Sequence, residues 1–289
     1  MMMKVTCCFK MGHDPDKVSQ EEWRQAAEDG FVDLRYMKSR IDPQDESGLE
    51  LALRFRDGCA EIGIDTQLEA VSAGDRDNEI QIKNQLQTLA ALGFDRISLV
   101  KGGRSFSPQE AAELLAKYVR DIHQESKQKN QLIICGSRSS EGGSRSVPLI
   151  LAELLGIRCI TGVTEFTGIS DDAAGAADAF GTDPVDKIAV KYRRDGLLIQ
   201  ERVSLPVLLA VGDVQKSFLR VPTLKQRMAS ASAVIEEVEL EADADEPAEF
   251  TGFSFESQDR EGRLVEAGSA EEAARIIYRE LAEKGLVNG

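Results

Sequence analysis

The strongest constraint on the fold of this 289-residue chain is an alternation of short apolar runs with amphipathic stretches, which continues through the first two thirds of the sequence. Such alternation predicts an α/β fold, in which a parallel sheet carries helices on both faces. The predicted strands lie at 5–9, 31–37, 66–74, 96–100 and 131–135. Ligands of these sheets bind beyond the carboxyl ends of the strands, so we expect a binding site among the loops after residues 9, 72, 100 and 135.

Capping residues mark the ends of the helices between these strands. Asp42 precedes a proline and a pair of acidic residues, which predicts an N-cap and the start of a helix. Residues 107–110 form a capping box with a proline at the first helical position. Gly93 and Gly156 follow helical patterns at the position where glycine ends a helix.

The pattern changes after residue 156. Two strand-like runs within 187–203 flank Arg194-Asp195-Gly196, which predicts a hairpin, and another apolar run covers 204–211. Residues 168–184 are small and polar and indicate a loop or mobile insert.

We therefore divide the chain into three parts. An α/β domain is predicted over 1–235, followed by an acidic linker over 236–250 that should not pack as core. Residues 251–289 form a C-terminal arm, whose capping box and apolar stripe predict a helix. That helix either reaches a partner protein or docks back on its own domain, and the sequence favours neither.

The composition excludes several classes of protein. A net charge of −15 opposes the binding of nucleic acid, and no apolar run reaches the ~18 residues that a membrane helix needs. The start of the chain does not resemble a secretory signal, so we expect a cytoplasmic protein. Five cysteines and two histidines, without metal-ligand spacing, indicate buried thiols and no zinc site.

The common catalytic motifs are absent from the sequence. It contains no phosphate-binding P-loop, no G-x-G-x-x-G fingerprint, no G-x-S-x-G and no H-E-x-x-H. We therefore expect the chain to bind a ligand, or to carry electrons through a cofactor, rather than to break bonds with its own side chains.

Three segments resemble the electron transfer flavoprotein beta subunit family, in matching order and spacing. They are IDPQDESGLELAL at 41–53, GSRSSEGGSRSVPLILAELLG at 136–156 and LRVPTLKQRMAS at 219–230. TCCFK, VSAG and LAALGFDRISLV are weaker matches at 6–10, 71–74 and 89–100. Together these segments cover roughly residues 4–235.

The resemblance implies a fold of the adenine-nucleotide alpha-hydrolase type and a heterodimer with an alpha subunit. It implies AMP or FAD in this chain, with the redox FAD held largely by the alpha subunit, and electron exchange with flavin dehydrogenases or a quinone-linked oxidoreductase. This chain would then be an electron-carrier subunit rather than a stand-alone enzyme. The resemblance also implies a recognition segment, residues 212–230, that contacts redox partners.

Three of the implied nucleotide contacts lie at the ends of predicted strands. Cys8 and Val71 match positions whose backbone touches the adenine, although both also suit a buried strand without a ligand. Asp42 stands where the family has asparagine. An ionised aspartate accepts hydrogen bonds only, so it could hold a ribose hydroxyl but would oppose a phosphate. An ordinary N-cap also explains Asp42.

The other implied contacts lie in the loop after the strand at 131–135. Glycines let a backbone approach phosphate, and amides at a helix N-terminus complement its charge. Ser144 can replace the family's threonine, while Arg145 and Ser146 stand in place of glycine and glutamine. Arg145 either clamps a phosphate or fills the pocket. The full set comprises Gly136, Glu141, Gly142, Gly143, Ser144, Arg145 and Ser146, and a Gly/Ser loop without a ligand remains the alternative.

Leu224 matches the leucine by which the family's recognition segment anchors to dehydrogenases, and a core leucine is the alternative. Other functions also remain open at this point. The chain could be a cofactor-poor structural or nucleotide-sensing partner of an alpha-like subunit, a bifurcating member linked to NADH, or an unrelated protein of the same fold such as a universal stress protein. The long C-terminal region argues against the last of these.

Overall fold

The computed structural model describes residues 2–13, 17–30, 37–74, 78–102, 107–122, 130–140, 143–168, 187–214, 217–243 and 264–287. The predicted strand at 31–37 and the polar insert at 168–184 lie outside these ranges, apart from their terminal residues Met37 and Gly168.

Eleven strands occur in the described ranges. They are β1 Met2–Cys8, β2 Met11–Gly12, β3 Arg40–Ile41, β4 Asp65–Gly74, β5 Arg96–Lys101, β6 Gln131–Gly136, β7 Arg158–Gly168, β8 Lys187–Arg194, β9 Leu197–Ser204, β10 Val207–Val211 and β11 Glu236–Glu239. The helices are α1 Gln20–Asp29, α2 Pro43–Glu61, α3 Glu79–Ala91, α4 Pro108–Ile122, α5 Ser146–Leu155, α6 Leu224–Ala229 and α7 Ala270–Glu283.

The main sheet has the strand order β11-β5-β4-β1-β6-β10-β7-β8-β9. Every neighbouring pair from β11 to β7 is parallel, and β8 and β9 form an antiparallel extension at one edge. The predicted α/β fold is therefore confirmed as a mostly parallel sheet. A separate two-stranded ribbon joins β2 to β3.

Helices cover both faces of the sheet, as predicted. One buried cluster includes residues of β1 and β4 and lies under α2 and α3, represented by Val5, Leu68 and Leu86. The other cluster, which includes Val71 and Tyr118, lies under α4 and α5. Period-two alternation places Cys7 in the first cluster and Cys8 in the second.

Several of the predicted helix caps, and the predicted hairpin turn, are present in the structure. The side chains of Ser107 and Glu110 cap α4 reciprocally with the backbone amides of these two residues. Gly93 and Gly156 take positive φ angles of 95° and 67° immediately after α3 and α5. Asp195, with φ 51°, and the glycine after it form the two-residue turn between β8 and β9, which confirms the hairpin.

The acidic segment after residue 235 corrects one prediction. Residues 236–239 are strand β11, paired with β5, so the expectation that 236–250 is entirely linker is wrong at this end. The Arg96 side chain contacts Glu236, and Lys83 lies 2.6 Å from Glu237. These cations, supplied from elsewhere in the sequence, neutralise carboxylates that would otherwise keep the segment in solvent.

Two helices were missed in the sequence although both carry capping signals. Ser19 and Glu22 form a capping box at the start of α1, and Thr223 and Gln226 form another at α6. The predicted C-terminal helix is present as α7, and none of its residues is buried. In the described ranges, no helix is both long and apolar enough to cross a bilayer.

Candidate functional site

The carboxyl ends of four adjacent parallel strands, β4, β1, β6 and β10, meet at one edge of the sheet. The start of α2 lies against this edge: the Asp42 amide donates to the Lys10 carbonyl at 2.9 Å. The connection between β6 and α5, residues 137–145, leaves from the same edge; we call it the β6–α5 loop. This is the position where open α/β sheets bind ligands.

Asp42 holds the β6–α5 loop rather than capping its own helix with its side chain. Its carboxylate is almost fully buried and accepts hydrogen bonds from the Ser140 amide at 2.6 Å and the Ser140 hydroxyl at 2.9 Å. Asp42 does occupy the N-cap position of α2, as predicted, but makes no side-chain capping bond. The Asp42 carboxylate oxygen that could have accepted a hydrogen bond from a ribose hydroxyl is therefore already bonded to Ser140.

Asp45 joins α2 to the ends of β1 and β6. Its two oxygens accept from the Lys10 amide at 2.8 Å and the Gly136 amide at 2.6 Å. Burial, together with the nearby Asp42 charge, raises the pKa of Asp45 to about 7, although both amides and the Lys10 ammonium act in the opposite direction. The site therefore contains a carboxyl group that changes charge near neutral pH.

Position 136, at this edge of the sheet, requires glycine because no side chain fits there. A Cβ atom on Gly136 would lie 2.6 Å from Asp45 Oδ1 and 2.9 Å from the Asp45 amide nitrogen. Its own amide is committed to Asp45, so Gly136 sets how closely α2 approaches β6.

The β6–α5 loop closes on itself. The Ser139 amide donates to the Ser144 carbonyl at 2.8 Å, and Gly143 takes a left-handed φ of 64°. Ser144 Oγ accepts from the Ser146 amide at 3.3 Å, so it caps the first turn of α5. Arg145 is exposed at the N-cap position. Glu141 and Gly142 lie outside the described residues.

Sequence reasoning overlooked Arg138, a second cation on the same loop. Its guanidinium lies within about 4 Å of where a Cβ atom on Gly143 would be. Within the described ranges, neither Arg138 nor Arg145 has an acidic partner. Two arginines on one short loop of a chain with charge −15 were the signal that could have identified it.

Cys8, at the end of β1, lies beside Val71, three residues before the end of β4, and both side chains are buried. The Val71 carbonyl accepts from the Phe9 amide at 3.0 Å, so the backbone there also extends the sheet. A hydrogen bond to Cys8, together with burial, raises the pKa of the Cys135 thiol well above its usual value. These thiols are packing groups, and only backbone atoms of Cys8 can face a ligand.

Ser72, next to Val71, has a completely buried hydroxyl that makes no hydrogen bond to any described residue. Thr66, Asn130 and Gln131 also carry buried polar atoms without a partner in the described ranges, and these lie at the amino ends of β4 and β6, so such atoms do not mark the ligand-binding edge.

The recognition segment is bound to α2 through side chains other than Asp42 and Asp45. Ser217 Oγ lies 2.7 Å from Ser47 Oγ, and the Leu219 amide donates to Glu46 at 3.3 Å. Arg220 bonds both oxygens of the buried Glu50 at 3.1 and 3.2 Å. Burial raises the pKa of Glu50, but the bonds from Arg220 and Arg54 outweigh it, so that pKa lies below its ordinary value.

This anchoring leaves apolar side chains of the recognition segment in solvent. Leu224 is 74% exposed, which excludes the alternative that it is a core leucine of this chain. Phe218, Val221 and Met228 are between 71% and 82% exposed. Exposed apolar side chains grouped on a firmly bound segment are typical of a protein-binding surface.

Comparison with known proteins identifies the family. The family model described as "Electron transfer flavoprotein domain" matches residues 31–243, well over half of the chain. This chain belongs to the electron transfer flavoprotein family. The resemblance to its beta subunits is thereby confirmed, and the family supports a role in electron transfer.

Individual relatives agree with this assignment. The chain is 27% identical over 280 residues to the "Putative electron transfer flavoprotein subunit YgcR" of Escherichia coli strain K12, covering 96% of this chain and 97% of that protein. It is 26% identical over 246 residues to the electron transfer flavoprotein subunit beta of Bacillus subtilis strain 168, covering 82% and 84%. The Syntrophomonas wolfei beta subunit is 24% identical over 190 residues, or 66% and 68% of the two chains.

Proposed function

We propose that this chain is the beta subunit of an electron transfer flavoprotein heterodimer and that it binds an adenine nucleotide at the β6–α5 loop. The observation that carries the proposal is the pair of arginines, Arg138 and Arg145, held without acidic partners beside the start of α5. In the described ranges, no carboxylate lies within ion-pair distance of either guanidinium. Guanidinium groups and helix-terminal amides together attract phosphate.

The residues present fit such a nucleotide unevenly. Arg145 presents an exposed guanidinium that suits a phosphate, while the Ser144 hydroxyl and the Ser146 amide are bonded to each other at 3.3 Å and would exchange that bond for the ligand. Asp42 and Gly136 instead use their polar groups on the protein itself. We therefore propose that the phosphate lies toward the start of α5, and that the Cys8 and Val71 backbone lies toward the base.

The chemistry of electron transfer belongs to the flavin, which accepts and releases the electrons. The role of this chain is to bind the nucleotide, to support the alpha subunit and to dock the redox partner. We propose flavin dehydrogenases as electron donors and a downstream oxidoreductase as acceptor.

Leu224 is the proposed anchor for these redox partners. Replacing Leu224 with alanine should slow electron delivery without dissociating the heterodimer, because the side chain is exposed and makes no core contact. The measurement is the rate of reduction of the redox partner by stopped flow. Leu197→Ala, on the exposed β8–β9 hairpin, is a matched control. An unchanged rate for Leu224→Ala would remove the anchor assignment.

The decisive experiment is an absorbance spectrum, with mass identification of the released nucleotide, on the chain copurified with its alpha subunit. One flavin plus AMP would support a shuttle in which this chain holds AMP. Two flavins, with reduction by NADH, would indicate a bifurcating member whose β6–α5 loop holds FAD. If neither flavin nor nucleotide is released, the proposal fails and the chain is a cofactor-poor partner of an alpha-like subunit.

A further inference from the structure

The first turns of α2 contact both the β6–α5 loop and the recognition segment. Asp42 and Asp45 bind the loop and the strand that precedes it. Ser47 and Glu50, one turn further along, bind residues 217 and 220. Because these side chains project from one short stretch of helix, the proposed nucleotide site and the proposed docking surface share a common support.

Gln44 is the side chain that spans both regions. Its Oε1 accepts from Ser137 Oγ in the loop at 2.8 Å. Its Nε2 donates to Asp213 Oδ1, at the start of the recognition segment, at 2.7 Å. An amide can accept at one end and donate at the other, so a single glutamine completes a continuous path from Ser137 to Asp213.

Backbone contacts keep the two ends of this path close together. The Ser137 amide donates to the Val211 carbonyl at 2.8 Å, two residues before Asp213. The next residue along, Gly212, donates its amide to the Val163 carbonyl at 2.9 Å. These backbone bonds keep Ser137 and Asp213 close enough for one side chain to span them.

We do not expect α2 itself to move when a ligand binds. A Cβ atom on Gly48 would lie only 3.0 Å from the Ile134 side chain, so α2 sits close against β6. Cores packed this tightly do not slide in small steps. The partly exposed Gln44 is adjustable by comparison, because its three side-chain torsions can rotate without moving the helix.

We propose that Gln44 couples the two sites, so that nucleotide binding at the β6–α5 loop further restrains the anchored recognition segment for its redox partner. The inference rests on the proposed nucleotide site. A ligand that fixes the loop fixes Ser137, and Ser137 then holds Gln44 in the orientation that bonds Asp213. Coupling through a rigidified chain of contacts requires no large displacement.

Hydrogen exchange measured by mass spectrometry on the full chain tests the coupling, with AMP as the probe. In the wild type, saturating AMP should slow exchange in peptides covering 136–146 and also in those covering 217–229, the latter by about threefold or more, as expected for one hydrogen bond. In Gln44→Met, which keeps the length of the side chain but bonds neither partner, AMP should slow exchange in the loop only.

Two further variants sharpen the experiment. Asp213→Asn retains an oxygen that can accept from Gln44, so it should behave as the wild type does. Gln109→Met removes a comparable glutamine bond, to Glu113 on α4, and should leave the response of both regions to AMP unchanged.

The outcomes separate the two proposals. If AMP slows exchange in the loop but never in the recognition segment, the coupling is overturned and the nucleotide site stands. If Gln44→Met responds as the wild type does, Gln44 is not the coupling residue. If AMP slows exchange in neither region, the nucleotide site fails and the coupling fails with it.

Discussion

At the scale of single residues, the candidate site carries its acidic side chains on α2 and its basic side chains on the β6–α5 loop. Two carboxylates, Asp42 and Asp45, lie on the side of α2 and are satisfied by protein amides. Two arginines, Arg138 and Arg145, lie on the β6–α5 loop. An anionic ligand is repelled by the first pair and attracted by the second, which orients it toward the start of α5.

Arg145→Ala should weaken AMP binding about tenfold or more, the usual effect of losing a hydrogen bond from a charged group. Isothermal titration of the full chain measures it. Arg194→Ala removes the same charge from the exposed β8–β9 turn and should leave the affinity unchanged. Equal affinities for Arg145→Ala and the wild type would show that Arg145 does not touch the phosphate.

Gly136→Ala should lower the free energy of unfolding by about 1–3 kcal/mol, because the added Cβ would overlap Asp45. Gly58→Ala lies in the last turn of α2 with open space around it, so it should raise stability by about 0.5 kcal/mol. Urea denaturation distinguishes the two. If Gly136→Ala is as stable as the wild type, α2 does not sit as close to β6 as described.

The sequence predicted positions at this scale better than it predicted contacts. It placed Asp42 at the start of α2 and Ser107 at the start of α4, because caps depend on neighbouring residues. It did not reveal that Asp42 bonds Ser140, 98 residues away, or that Asp45 reaches both β1 and β6. Such contacts depend on how distant strands are brought together.

At the scale of elements, β11 shows why local patterns fail at charged strands. Its sequence, EEVE, is typical of a solvated linker. Lys83 and Lys101, both close to Glu237, compensate its charge, and pairing with β5 satisfies the backbone groups on one side of this edge strand. Local strand and helix signals located most other described elements, because periodicity and caps are properties of short stretches of sequence.

We propose that the C-terminal helix α7 contacts the alpha subunit. Ile277 and Tyr278 are about half exposed, and no residue of α7 is buried. Deleting residues 250–289 should therefore impair copurification with the alpha subunit while leaving the thermal midpoint of this chain nearly unchanged.

A point variant refines this prediction. Ile277→Asp should also reduce copurification, because a carboxylate would be buried in the interface. Ala282→Asp adds the same charge at an exposed position on a different face of the same helix and should have little effect. A truncated chain that still copurifies fully would refute the role of the arm.

At the scale of the whole molecule, stability should depend on pH through Asp45. Its pKa is about 7 in the folded chain and lies near 4 in an unfolded one, so the native state retains a proton that the unfolded state loses. Stability should therefore fall as pH rises from about 4 to about 7.

Urea denaturation at several pH values measures this dependence. Asp45→Asn cannot titrate, so its stability should decline less steeply over that interval. Asp195→Asn, at the exposed hairpin turn, should follow the wild type. Identical slopes for Asp45→Asn and the wild type would show that Asp45 does not titrate near neutrality.

The position of β10 has a consequence for biosynthesis. This fully buried strand, Val207–Val211, separates β6 from β7 in the sheet, yet the ribosome makes it after both. Until residue 211 has emerged, β1, β4, β5 and β6 can pair with one another, but β7 to β9 have no strand that connects them to the rest. A nascent chain at that stage exposes the edges of β6 and β7 that β10 later covers, which favours aggregation. Mutations that slow the incorporation of β10 should therefore reduce the yield of folded protein more than their effect on equilibrium stability suggests.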